Sequence, residues 1–339
     1  MTRLTALLLT LITGFTGLVY EVTWERYLAT LLGSHSEATA AVLGIFLGGL
    51  SLGYSLFGIL TRRIVERAQA TGKPARLLLL YGLVEGSIGA YVISFPLIFQ
   101  AIQALSFVIP HGAAGPGFAI DVLLSALLIG PPTVLMGGTI PILTQALAGS
   151  VASSTRFHAF VYAFNTTGAF LGALAAGFFL IPALGLVNLM FAMGAINLLA
   201  GGTFVALGRR SATPATVEEA PAAPARAEKL GAYAAAALLT GFAMMVLQTV
   251  LIRLGGLSFG ASQFTFSMIV AVFVLCIALG SFCVSAFSRI PRAVLVINQW
   301  LLALLVCLLY GFLEHTPYGA HVLRTLFRDT PQDFYAYYG

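Results

Sequence analysis

Nine long apolar runs constrain the fold of this chain more than any other feature of its sequence. Each run reaches or approaches the roughly 20 residues that cross about 30 Å of hydrocarbon as an α-helix. Only 9% of the 339 residues are charged, whereas a soluble domain carries about 25%. The sequence therefore predicts an all-α, polytopic integral membrane protein with about nine transmembrane helices. The runs are residues 4–19, 38–60, 77–109, 118–148, 157–181, 186–207, 232–254, 264–287 and 293–313.

Lysine and arginine are distributed unevenly between the loops. They follow the second, fourth, sixth and eighth runs, whereas the opposite loops near residues 33–37, 110–117, 182–185 and 256–262 contain none. Because cytoplasmic loops are enriched in these residues, we expect a multi-pass protein of the cell's inner (cytoplasmic) membrane with its amino terminus in the cytoplasm. The net charge of +5 then follows from topology and indicates no nucleic-acid partner. The first run lacks a small-x-small cleavage site, so we expect a retained helix rather than a signal peptide.

Residues 11–53 align without a gap with residues 238–280, at a constant offset of 227. A parallel repeat in a membrane protein predicts two similar bundles related by an axis along the membrane normal, as in major-facilitator-type transporters. The identical pairs include Gly14/Gly241, Arg26/Arg253, Gly33/Gly260 and Gly53/Gly280.

The repeat and one linker suggest the organisation of the chain. We expect a first transmembrane half with six helices at residues 1–207, a Pro- and Ala-rich cytoplasmic linker at 208–230, and a second half with three helices at 231–313. The second half looks incomplete, because the fourth helix of the first half has no counterpart. We expect residues 314–339 to form an extracytoplasmic amphipathic segment and, at the closing aromatic cluster, the start of a further helix.

Carboxyl groups inside the apolar runs are the first candidates for function. Glu85 lies about 12 Å into the third helix, where an ionisable group is costly and a functional candidate by default; a protonated Glu bonded to a neighbouring helix is the alternative. Glu21 shares a helix face with Glu25, beside Arg26, and is replaced by Gln248 in the second repeat. Either Glu21 is a functional carboxylate, or this segment anchors the helix at the interface.

The fourth helix contains Pro131, Pro132 and Pro141. These prolines predict a broken helix, in which Thr139 caps a new segment that lines a binding site; a simple kink is the alternative. Asn165 in the fifth helix is either an interhelical hydrogen-bonding residue or a substrate ligand.

Two sets of residues follow from these patterns. The predicted substrate-binding residues are Glu21, Arg26, Glu85, Thr139 and Asn165. The predicted helix-packing residues are Gly48, Gly49, Gly53, Gly168 and Gly172. No catalytic residue, metal site or cofactor is predicted, and the three cysteines are expected to be small core residues.

Taken in order, these motifs resemble the transmembrane region of membrane-fused spermidine synthase-like proteins (the fused major facilitator/spermidine synthase family). The resemblance covers residues 14–185 and, as the second repeat, 241–280. The matching positions are Gly14, Tyr20, Glu21, Trp24, Arg26, Phe46, Gly48, Gly49, Leu52, Gly53, Tyr81, Glu85, Met136, Gly137, Thr139, Pro141, Tyr162, Asn165, Gly168, Gly172, Pro182 and Gly185.

The resemblance implies polyamine-related membrane biology. Members of that family usually carry a soluble aminopropyltransferase domain with a Gly-Gly-Gly-Asp-Gly loop, and this chain contains no such loop. A transferase centre is therefore expected beyond residue 339 or in a partner protein. Two functions remain open: a membrane domain that binds or translocates a small cationic, polyamine-like metabolite, or a structural anchor or assembly scaffold for a catalytic domain or partner.

Overall fold

The computed structural model describes residues 2–109, 114–147, 151–210, 230–260, 262–285 and 292–326. Over these residues the chain forms ten α-helices and one π-helical turn, with no β-strand. The helices are α1 (Thr2–Leu32), α2 (His35–Thr71), α3 (Leu77–Val108), α4 (Ala114–Leu147), α5 (Val151–Ala175, followed by the π turn Ala176–Leu180), α6 (Ile181–Arg210), α7 (Leu230–Phe259), α8 (Gln263–Ser285), α9 (Arg292–Leu313) and α10 (Thr316–Leu326). The linker residues 211–229 and the closing aromatic cluster lie outside the described residues.

The helices α1 to α4 and α7 to α9 are each long and apolar enough to cross a membrane, and Phe160–Arg209 forms one further apolar stretch. This stretch contains two spans, because the chain turns at Gly185, whose backbone is not helical (φ 68°, ψ 173°). In a straight helix Asn165 and Asn197 would lie about 48 Å apart. Instead they contact Gly14 and Tyr20, only about 9 Å apart along α1. The prediction of an all-α polytopic membrane protein is confirmed.

Close contacts between helix backbones hold α1 to α6 together. In α3 and α6, Gly82 lies against Gly201 and Gly89 against Gly194, so these helices pack antiparallel. A Cβ atom at any of these positions would collide with the backbone of the other helix. Small residues permit such contacts in membranes, where helices attract one another by packing and hydrogen bonding.

The predicted packing glycines behave in two ways. Four of them lie where a Cβ atom would meet a neighbouring helix: Gly49 against Thr133, Gly53 against Val134, Gly168 against Leu11 and Gly172 against Phe15. Gly48 faces open space, so the packing role expected for it is not seen. It lies on the same helix as Gly49 but 100° away around the axis, on a face that no described helix approaches.

The two aligned repeats form the same helical hairpin. Gly33 and its counterpart Gly260 both have positive φ (74° and 104°) at the end of the first helix of each hairpin. Their amides donate to equivalent carbonyls, of Ala29 at 3.0 Å and of Gly256 at 3.1 Å. Only glycine adopts this backbone conformation without strain.

Helix α4 is continuous from Ala114 to Leu147, so the prediction of a broken helix is wrong. Pro132 removes the amide that would bond the Leu128 carbonyl, but the Tyr91 hydroxyl of α3 donates to that oxygen at 2.7 Å. Thr139 donates to the Met136 carbonyl of its own helix at 2.7 Å instead of capping a new one. A neighbouring side chain thus satisfies the backbone group that proline leaves free.

The cysteines also differ from expectation. Cys276, Cys283 and Cys307 are all exposed on α8 and α9 rather than buried in a core. The sequence predicts that they lie inside helices but not which way they face, and these two helices have few described neighbours on their outer sides. Their exposed faces are apolar, as lipid contact requires.

We expect Gly14→Ala to destabilise the protein, because the added methyl group would collide with the backbone of Asn165. Overpacking of this kind costs about 1–3 kcal/mol. The repeat-equivalent change Gly241→Ala is the matched control, since nothing lies within 4 Å of that site. Thermal unfolding in detergent should show a lower midpoint for Gly14→Ala and an unchanged or higher one for Gly241→Ala. Equal midpoints would contradict the packing described here.

We expect Tyr91→Phe to lower stability by about 1–3 kcal/mol, since the Leu128 carbonyl would lose its donor. The exposed Tyr310 offers a control, Tyr310→Phe, for loss of a phenol without a bonded carbonyl. Thermal unfolding of both variants measures the difference. If Tyr91→Phe matches wild type, the phenol does not compensate for Pro132.

Candidate functional site

A cavity of about 440 Å³ lies between α1 to α6 and α8, in the middle of the bundle. It brings together four of the five predicted substrate-binding residues, Glu21, Glu85, Thr139 and Asn165. His158 is a further titratable group in its wall. The described residues that line the cavity include no lysine or arginine.

Glu85 is held at the base of this cavity by hydrogen bonds from other helices. Its side chain is 2% exposed, and its Oε2 accepts a hydrogen bond from Asn197 Nδ2 at 2.8 Å. The hydroxyls of Thr13 and Tyr81, 3.2 Å from each other, face the same carboxyl group. Glu85 therefore has neutral donors around it and no cation among its described neighbours.

Asn197 is a site residue that sequence reasoning missed. Its Oδ1 accepts a hydrogen bond from Tyr20 at 3.1 Å, while its Nδ2 donates to Glu85, so one amide joins α1, α3 and α6. The signal for it was present, because an amide inside an apolar run requires a partner. The run contains a second asparagine, Asn188, which is exposed and bonds the Leu184 carbonyl of its own helix. Sequence does not distinguish the two.

Glu21 has a different environment from Glu85. It is 5% exposed and borders the cavity, yet no described residue hydrogen bonds or ion-pairs with its carboxyl group. Its neighbours on α1, Tyr20 and Val22, are completely buried and fix its position. Its oxygens are not among the fully buried atoms that lack a partner, so the carboxyl group opens onto the cavity, where a ligand or water can reach it.

Asn165 and Thr139 complete the wall of the cavity. The backbone of Asn165 lies against Gly14, and its side-chain amide forms no hydrogen bond with the described residues. The interhelical bond that the sequence suggested for Asn165 is therefore not seen. Thr139 is 9% exposed and bonded to its own helix.

Arg26 does not reach the cavity. Its Nε and Nη2 donate to Gln263 Oε1 at 3.2 and 2.8 Å, and its Nη1 lies 3.3 Å from Nε2 of His35. The other ring nitrogen, Nδ1 of His35, lies 3.1 Å from Glu25. We call Glu25, Arg26, His35 and Gln263 the polar clamp. It joins α1 and the start of α2 to the start of α8.

The π turn of α5 adds a contact to this clamp. Gln263 Nε2 donates to the Gly177 carbonyl at 3.5 Å. Gly177 itself has no room for a Cβ atom, because Ser267 of α8 lies against it. A π turn widens the helix and re-aims backbone carbonyls, and here it faces α8. Nothing in the sequence indicates that a π turn forms at this point of the helix.

A second cavity, of about 670 Å³, lies at the end of the bundle remote from the amino terminus. Parts of α1, α2, α4, α7 and α8 line it, and its ionisable residues are Glu25, His35, Glu37 and Arg253. Asp121 of α4 accepts a hydrogen bond from Ser106 at 2.7 Å and lines neither cavity.

We expect Asn197→Ala to lower stability by about 1–3 kcal/mol, because Glu85 and Tyr20 both lose a buried partner. Asn188→Ala removes the same amide at an exposed position and serves as the control. Thermal unfolding should separate the two variants. Equal midpoints would show that the Asn197 bonds do not hold the three helices together.

Comparison with known proteins gives no relative. No protein-family model, no curated protein and no solved structure matches the chain. The assignment of function therefore depends on the geometry of the cavity and on the residues that line it.

Proposed function

We propose that the central cavity binds a small cationic metabolite, of the polyamine type, inside the membrane. The observation that carries this proposal is the carboxyl group of Glu21, which is buried, borders the cavity and has no partner among the described residues. A cationic ligand would supply that partner.

The chemistry of the cavity wall favours a cation over other ligands. Glu21 and Glu85 are the acidic residues that line it, and no described lysine or arginine of the wall opposes them. Unpaired carboxylates in a low-dielectric interior repel anions and attract cations strongly. Tyr54 and Tyr162 also line the cavity, and aromatic faces attract alkylammonium groups.

The resemblance to spermidine synthase-like membrane proteins narrows the ligand class. It supports a polyamine, whose ammonium groups match carboxyl groups and whose methylene chain suits the apolar part of the wall. On the same basis we propose that a soluble aminopropyltransferase domain or partner supplies or consumes the ligand. The binding proposal stands on the cavity and does not depend on that partner.

We further propose a major-facilitator-like arrangement of two related halves. The shared hairpin, with Gly33 and Gly260 at equivalent turns, supports the repeat. Gly14 packs against α5, whereas nothing lies within 4 Å of its counterpart Gly241. Gly53 packs against α4, and its counterpart Gly280 is likewise open. Among the described residues, no helix covers Gly241 and Gly280 as α5 and α4 cover Gly14 and Gly53.

A membrane anchor or assembly scaffold is the second candidate function. The hydrogen bond between Glu85 and Asn197 favours it, because a carboxyl group that serves helix packing needs such a partner. Glu21 distinguishes the two functions, since packing gives no reason for an unpartnered carboxyl group beside a cavity.

The test is equilibrium binding of radiolabelled spermidine to the purified protein in detergent. We expect Glu21→Gln and Glu85→Gln each to weaken binding by at least about tenfold, as loss of one partner of a buried charge pair does. The control is Glu66→Gln, which removes a carboxylate of an exposed ion pair with Arg62 and should bind as wild type does.

Two results would contradict the proposal. Wild type that binds no spermidine would leave the scaffold as the better account. Equal affinity for wild type and Glu21→Gln, with both folded by thermal unfolding, would show that the ligand does not use this cavity.

A further inference from the structure

The central cavity extends from the middle of the bundle toward one face of it, and the second cavity lies at the opposite face. The central cavity is lined by His158, near the start of α5, and by Ile140, near the end of α4. Both of these helix ends lie at the face that carries the start of α1, because the helices alternate in direction. The second cavity is lined by the end of α7 and the start of α8, at the opposite face. No described residue lines both cavities.

One turn of α1 separates the cavities. Glu21 borders the central cavity and Glu25 the second one, and residues four apart on a helix lie about 6 Å apart along its axis. The pair that the sequence places on one helix face is therefore divided between two compartments.

Aromatic side chains fill the space beside that turn. Trp24 is completely buried, and its ring lies 5.7 Å from Tyr20, 5.6 Å from Phe95 and 6.3 Å from Phe46. We call Tyr20, Trp24, Phe46 and Phe95 the aromatic plug. The Nε1 atom of Trp24 is buried without a hydrogen-bond partner among the described residues, so it would gain one if water entered the plug.

The polar clamp lies beside the same turn of α1, on the side of the second cavity. It fastens α1 to α8 through Arg26 and Gln263, whereas the side chain of its His35 is 40% exposed. Hydrogen bonds that water reaches on one side break and re-form more readily than buried ones. A clamp of this kind holds the two helices together without locking them.

We propose that the two cavities are the ends of one interrupted path across the membrane, with the aromatic plug and the polar clamp as the barrier between Glu25 and Glu21. This inference rests on the proposed function and adds translocation to binding: the cation passes between the two carboxylates when α8 moves away from α1.

The test is the sidedness of thiol labelling in membrane vesicles. In a chain whose exposed Cys276, Cys283 and Cys307 are changed to alanine, Ser51→Cys probes the central cavity and Thr249→Cys the second one. Ser87→Cys, exposed on α3 and lining neither cavity, is the lipid-facing control. An amino-terminal tag identifies the orientation of the vesicles.

With a membrane-impermeant maleimide, we expect Ser51→Cys to react from the amino-terminal face, Thr249→Cys from the opposite face, and Ser87→Cys from neither. Reaction of both cavity positions from one face, or of either cavity position from neither face, would overturn the inference. Spermidine should slow the reaction at Ser51→Cys. Correct sidedness without this protection would count against the proposed ligand and not against the two compartments.

The barrier is tested by adding Gln263→Ala to the Ser51→Cys chain. Loss of the clamp should increase labelling from the opposite face by about tenfold, equivalent to about 1.4 kcal/mol in the opening equilibrium. Gln263→Glu keeps an acceptor for Arg26 and should not increase it. Unchanged labelling in Gln263→Ala, or an equal increase in Gln263→Glu, would show that the clamp is not the barrier.

Discussion

The hydrogen bonds of Asn197 are the interaction on which the rest of the structure depends. One buried amide bonds Tyr20 of α1 and Glu85 of α3 from its place on α6. All three side chains are almost completely buried, so loss of either bond leaves a buried polar group without its partner. The amide fixes the carboxyl group of Glu85 at the base of the cavity and holds the three helices at one depth. The bond from Asn197 to Glu85 and the glycine contacts between α3 and α6 require the same register of these two helices. Together they fix the shape of the cavity.

The two halves of the described structure differ in how closely their helices pack. Helices α1 to α6 make backbone-to-backbone contacts that leave no room for even a methyl group, as at Gly14 and Gly82. Helix α9 has no buried residue in its most apolar stretch, and α7 has few. Contacts between the halves are mostly those of α8 with α5. The π turn at Gly177 and the bond from Arg26 to Gln263 add to this interface. A closely packed half that carries the carboxyl groups thus meets a less buried half mainly through α8.

Much of this was predictable from sequence, and the failures have physical reasons. Hydropathy predicted the helices because the bilayer fixes their length. The depth of Glu85 within the third run indicated a buried side chain, and its side chain is 2% exposed. Which helices become neighbours is not encoded in one sequence, so Arg26 was assigned to the cavity although it bonds Gln263, and Asn197 was overlooked. The prolines of α4 predicted a break because sequence does not show that Tyr91 of another helix supplies the missing donor. The π turn likewise depends on packing against α8.

The central claim is that a cation bound in the central cavity pairs with the carboxyl group of Glu21. The most direct measurement is an experimental structure of the protein in a lipid nanodisc with spermidine, at a resolution that shows side-chain carboxyl groups. The account predicts ligand density in the cavity of about 440 Å³, with a nitrogen within hydrogen-bond distance of the Glu21 carboxyl group and Glu85 still bonded to Asn197. An empty cavity in which Glu21 bonds another side chain of the protein would contradict it.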